Sequence, residues 1–328
     1  MKKIKGSRKT PAPSVLITTA ALSLCVLLPL RVFHVAKLIE PETGFYAENN
    51  WSIWVFYLLC AAVILYLMAS SFMSSRINRV RNCMTKNRVL GIVSLLTGAA
   101  VMYDAVYEML RFLDLFGAYD PYTGDATLSY LTKNGGTALL FGAVFAALSA
   151  VFFLVYALSC FKRSIRMSAF RVLSVAPVVW SICRIIFRFV TKISFVNVSD
   201  LLLELFMLVF VVSFTLAFAQ VVTNVTPEIC AWRLFGCGLP GALLAFLVSV
   251  PRLIMLVLFH SDRIVAAHPL APCDLMLSVF IPVFLYFTTV AVKKKKLDLP
   301  QAEEPQAAEE PAGEEAEPEG EEPQEPEE

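Results

Sequence analysis

Asp104, Glu108 and Arg111 stand at i, i+4 and i+7 in an otherwise apolar run, a spacing that stacks two carboxylates and a guanidinium on one stripe of a helix. Arg184 and Arg188 form a second set one turn apart, with Trp180 and Pro177 on the turns below. Glu204 stands alone in a third run, Arg252 follows Pro251 in a fourth, and Asp274 opens the last. Guanidinium is the side chain best shaped for bidentate contact with carboxylate or phosphate. The chemistry these types suggest is capture of a small anionic solute by Arg184, Arg188 and Arg252, with Asp104 and Glu108 as counter-ions or proton carriers. Arg111 and Glu204 fall nearer the membrane interface.

The elements that must carry these groups are eight apolar runs, at 14–33, 51–72, 89–115, 136–161, 172–190, 201–222, 234–259 and 275–292. Each approaches the roughly 20 residues needed to cross a hydrocarbon core of about 30 Å. A lipid-embedded backbone must satisfy its own hydrogen bonds, and no barrel-like alternation appears, so the runs are read as helices and the fold class as all-α. Composition agrees, with 57% hydrophobic and 17% charged residues where a soluble chain carries about 25% charge. The first run follows Lys2, Lys3, Lys5, Arg8 and Lys9 like a secretory signal, yet it lacks a small-residue cleavage site and continues through 27–33. An uncleaved helix is expected.

Basic residues near span ends are retained on the cytoplasmic side. The tail and the even-numbered connections hold nineteen Lys and Arg, the alternate connections only Arg31, Lys37, Lys133, Lys192 and Arg263. Both termini are therefore expected in the cytoplasm of a cell that carries the protein in its plasma or inner membrane. At about 1.5 Å of rise per residue, Asp104 lies roughly 22 Å from the cytoplasmic start of its span, Arg184 roughly 18 Å, Arg188 roughly 24 Å and Arg252 roughly 20 Å. All four fall in the outer half.

Charges at that depth cost about 2.5 to 3.5 kcal/mol each on insertion scales and face the bundle interior or water. Two arrangements satisfy them. One is a water-filled vestibule open to the outside; the other is a closed set of ion pairs pinning the third, fifth, sixth and seventh spans. Pro177, Pro240, Pro251 and Pro282 are expected to interrupt their spans, as broken helices do beside solute sites in transporters. Gly142, Ala146 and Ala150 form a small-residue stripe for close helix packing. The two longer external connections, 31–50 and 116–135, have length enough for a small lid.

The chain divides into a basic tail (1–13), the membrane domain (14–292), a basic anchor (293–300) that includes Lys293 to Lys296, and an acidic segment (301–328). That last segment holds 13 of the 27 acids with repeated Pro and Ala, so it is expected to be disordered, either as a solvated extension or as a docking tail for a basic protein partner. Signals for other chemistry are weak. The eight Cys make no CxxC pair, and His34, His260 and His268 are expected to be scattered through external loops without metal-ligand spacing. The turn 120–125 lacks the calcium-loop pattern, and Asn197-Val198-Ser199 is a glycosylation match close to the membrane. No phosphate loop, dinucleotide fingerprint or nucleophile elbow is present, so no cofactor, nucleic acid or enzymatic reaction is expected. The lipid bilayer is the one partner the sequence requires. Beyond that it leaves two functions open, a solute-binding or transporting protein and a scaffold or accessory subunit.

Overall fold

A computed structural model describes residues 12–40, 46–47, 50–73, 87–119, 127–162, 167–190, 198–223, 225, 231–258 and 270–290. The basic tail, the turn 120–125, Asn197, His260, His268, Cys83, Cys230, Lys293 to Lys296 and the acidic segment lie outside them. The long elements are helical, and eight of them are long and apolar enough to cross a membrane.

In chain order the helices are α1 (Pro13–Phe33), α2 (Trp51–Met73), α3 (Arg88–Gly117), α4 (Thr127–Lys133), α5 (Gly136–Phe161), α6 (Ala176–Val190), α7 (Val198–Val222), α8 (Ala231–Leu258) and α9 (Pro272–Leu285). Local chemistry sets their ends. Pro13 and Pro272 occupy the first helical positions, where a missing N–H is no loss. Asn87 caps α3 by accepting from the Val89 and Leu90 N–H groups at 3.1 and 3.3 Å. The short α4 lies in the connection between α3 and α5, and Gly135 after it, with a φ of 76°, turns the chain directly into α5.

Contacts between helix ends show that neighbours run in opposite directions. The Asn87 N–H at the start of α3 donates to the Cys160 carbonyl at the end of α5, and Gly136 at the start of α5 lies against Leu115 near the end of α3. The face from which α1 starts is called the terminal face below, and the other the far face. Six helices close a circuit in which α3 packs on α5 and α9, α5 on α6, α6 on α7, α7 on α8 and α8 on α9. The α1–α2 pair packs on α8 outside that circuit and exposes most of its surface.

The tightest pair is α3–α5, and the small-residue stripe explains it. Ala146 and Ala150 are fully buried, and a Cβ built on Gly98 would lie 3.3 Å from the Ala150 carbonyl oxygen. The Ser94 hydroxyl, on the same face, donates to the Phe153 carbonyl at 2.9 Å. Small side chains let backbones approach where lipid offers no hydrophobic drive for association.

Two sequence expectations are corrected here. The prolines do not break the spans: α8 runs continuously through Pro240 and Pro251, and Pro177 is the second residue of α6. An interior proline removes one ladder bond, and the rest of a 28-residue helix holds; in a first turn it removes none. Nor is His34 a loop residue, because α1 continues through a wide turn, His34–Leu38, that keeps His34 and Arg31 buried.

Candidate functional site

The interior of the six-helix circuit differs from end to end. Toward the terminal face it is filled by seven aromatic side chains, Phe152, Phe153 and Tyr156 from α5, Phe214 and Phe218 from α7, and Phe280 and Phe284 from α9. Phe218 is the hub, stacked on Phe153 and Phe214 and edge-on to Phe280 and Phe284 with centroids 5.4 and 4.9 Å apart. Toward the far face the same circuit holds charged groups and a cavity.

Arg184 of α6 donates from both terminal nitrogens to Asp274 of α9, at 2.7 and 2.8 Å, with both side chains buried. Its guanidinium also lies 5.3 Å over the ring of Trp180, one turn earlier. Arg188 donates to Glu204 Oε1 of α7 at 3.0 Å from Nε and 2.6 Å from a terminal nitrogen. The other Glu204 oxygen is 3.6 Å from a terminal nitrogen of Arg252 in α8. Glu204 is 1% exposed, so it is an interior group rather than the interfacial one expected. Helix burial explains the difference, since α6 and α8 both send an arginine to it.

Asp104 and Glu108 have a different environment. Asp104 is 8% exposed and packs beside Arg184, Trp180 and Cys273, and its Oδ2 has no hydrogen-bond partner. Glu108 Oε2 is also buried without one. The Glu108 carboxylate lies against α5, where a Cβ built on Gly142 would come within 2.6 Å of that oxygen. A larger residue there would make the carboxylate shift. Arg111, one turn on, does not pair with Glu108: its guanidinium lies 5.8 Å over Tyr107 and 5.1 Å over Phe187. Opposite charges at i and i+3 ordinarily attract, so the helix here keeps two groups apart that could have met.

These groups surround a partly open cavity of about 100 Å³. Its walls include Asp104, Glu108, Arg111, Arg184 and Arg188, together with Tyr103, Tyr107, Phe187 and the residues that lead into α9. Five of the seven residues singled out from sequence therefore converge on one space, while Glu204 and Arg252 stand behind its wall. Asp274 is the member whose importance sequence reasoning underrated. Its position in the first turn of the last span was legible, but its partner on α6 was not. Among the described residues no three His, Cys, Asp or Glu groups are close enough to hold a metal ion.

A second buried polar cluster escaped the sequence reading. Arg31, 1% exposed, donates to the Tyr46 hydroxyl at 3.0 Å and lies 5.7 Å over Phe56. His34 Nε2 is 3.1 Å from the Ser52 hydroxyl, and Tyr46 and Tyr57 hydroxyls are 3.5 Å apart. The Ile39–Tyr46 bridge folds the first connection back over this end of α1. The signal was present, because the apolar run continues past Phe33 through Val35, Leu38 and Ile39.

No protein-family model, curated protein or solved structure significantly matches this chain.

Proposed function

We propose that this multi-pass membrane protein binds a small polar solute in the far-face cavity. The charge bias of the connections supports an outward-facing vestibule in the plasma or inner membrane, with both termini in the cytoplasm. The observation that carries the reading is the cavity itself. It is walled by two carboxylates without an ion pair and by Arg111, and the aromatic packing lies beneath it. Intramembrane ionisable groups of this kind mark solute or proton pathways by default.

The arrangement changes the roles assigned from sequence. Arg184 and Arg188 already hold Asp274 and Glu204, so their part is to fix α6, α7 and α9 around the space. Asp104, Glu108 and Arg111 remain to meet a solute. Transport across the bilayer would require the aromatic half to open in turn, and uptake into liposomes tests that step.

The other class of function also has an observation in its favour. The Arg184–Asp274 pair and the shared Glu204 bind four helices together without any ligand, as a scaffold recruiting a basic partner through its acidic tail would need. A thermal-shift screen of the purified chain against small polar metabolites separates the two. Under the solute reading, a ligand at 100 times its Kd stabilises the parent by about 2.7 kcal/mol, and Asp104→Asn abolishes the shift. A complete absence of hits across amines, acids, amino acids and phosphates would sink it and leave the scaffold.

A further inference from the structure

The geometry points to a small zwitterion, an amino acid bearing one ammonium and one carboxylate on a short chain, as the solute of this cavity. The inference rests on the solute-site reading above and specifies its ligand.

Charge balance is the first argument. Around the cavity and behind its wall stand Arg111, Arg184, Arg188 and Arg252 against Asp104, Glu108, Glu204 and Asp274. Counted by residue type, the set offers as many carboxyl groups as guanidinium groups, so a solute with one end of each sign can find a partner for both ends in the same space. Distribution is the second argument. Arg184, Arg188 and Arg252 have carboxylates opposite them, but Asp104 and Glu108 take part in no ion pair among the described residues, and Arg111 rests on two aromatic faces. Asp104 is more than nine-tenths buried and its Oδ2 lacks a hydrogen-bond donor. An ammonium supplies three donors to that carboxylate pair, and a solute carboxylate matches the planar fork of Arg111.

Spacing and size agree. Glu108 and Arg111 are separated by about 4.5 Å of helix rise, and Asp104 and Arg111 by about 10 Å. A short amino acid reaches from the deeper acids toward the guanidinium within that span. The cavity of about 100 Å³ is well above what a single water needs, and Tyr103, Tyr107 and Phe187 among its walls favour a compact solute over one with a bulky side chain.

The experiment is a thermal-shift and calorimetric titration of this chain in detergent with glycine, β-alanine and 4-aminobutanoate. Ethylamine and acetate serve as the two half-ligands and phenylalanine as the size control. Arg111→Gln, Arg111→Lys and Asp104→Asn are run alongside the parent. Expected is a Tm rise of about 5 °C with at least one short amino acid at saturation, with no comparable rise from either half-ligand or from phenylalanine. Affinity should fall at least tenfold in Arg111→Gln and recover in part in Arg111→Lys. Arg111 is half-exposed at the wall, so its replacement leaves the bundle folded and the comparison readable. Ethylamine binding as well as the amino acids, with Arg111→Gln unaffected, would overturn the zwitterion in favour of a cation site. Acetate binding alone would overturn it in favour of an anion site. In both cases the solute site itself stands. No binding from this series or from the wider screen removes the solute site and the zwitterion together.

Discussion

The two halves of the helix circuit are built from the same helices and solve packing in opposite ways. In the terminal half, α5, α7 and α9 interlock seven aromatic side chains and leave the interior closed. In the far half, α3, α6 and α9 surround a cavity and keep two carboxylates without ion partners. A bundle selected for stability alone would fill both halves with rings, since buried ion pairs are often matched or surpassed by well-packed apolar groups. The polar half is therefore where the molecule departs from the simplest way of being stable, and the proposed solute site rests on that departure.

The sharpest way to break the comparison is to strip one partner from the Arg184–Asp274 pair. Asp274→Asn leaves a buried guanidinium without its bidentate acceptor and is expected to cost about 3 to 5 kcal/mol in detergent unfolding. The double variant Arg184→Gln, Asp274→Asn should recover most of that loss, because the penalty comes from the charge left behind. A double variant as unstable as the single would show that the pair holds the far half together by its own strength. The contrast drawn between the halves would then fail.

Truncating the hub of the other half is expected to cost somewhat less. Phe218→Ala removes the ring that touches Phe153, Phe214, Phe280 and Phe284, and a cavity of that kind costs about 3 kcal/mol. Ligand affinity at the far half should change by less than about threefold, since sites without shared partners contribute independently. A large loss of affinity with Phe218→Ala, measured by the same titration, would mean that the two halves are coupled and that the aromatic packing acts as a gate.

The polar half of this division was partly legible in the sequence, the aromatic half not. The eight spans follow from run length, the stripe of Asp104, Glu108 and Arg111 from helical spacing, and a close-packing face on α5 from Gly142, Ala146 and Ala150, though not that α3 is the helix packed on it. What one sequence does not contain is neighbour order. Arg184 could have faced Asp104, Glu108 or Glu204 as readily as Asp274, because nothing in the spacing within α6 says that α9 lies beside it. The same gap placed Glu204 at the interface rather than between Arg188 and Arg252. His34 was misplaced for another reason: one polar residue was taken to end a span when the apolar pattern continued beyond it. The aromatic half was invisible because phenylalanine is ordinary in any membrane helix, and only packing brings seven such rings together.

Asp104 gives the smallest expected change in stability and the finest discrimination. If the far half were merely a set of structural ion pairs, neutralising one of its carboxylates would loosen the bundle. Arg184 is held by Asp274, and Asp104 Oδ2 is buried without a donor, so a carboxyl at this position adds a desolvation cost that no ion pair offsets. Asp104→Asn, of nearly the same shape, is therefore expected to raise stability by up to about 1 kcal/mol while solute binding disappears. Gain of stability with loss of binding is the signature of a group kept for function. A loss of more than about 2 kcal/mol on unfolding would instead make Asp104 part of the Arg184 network, and the far half would then be architecture like the near one.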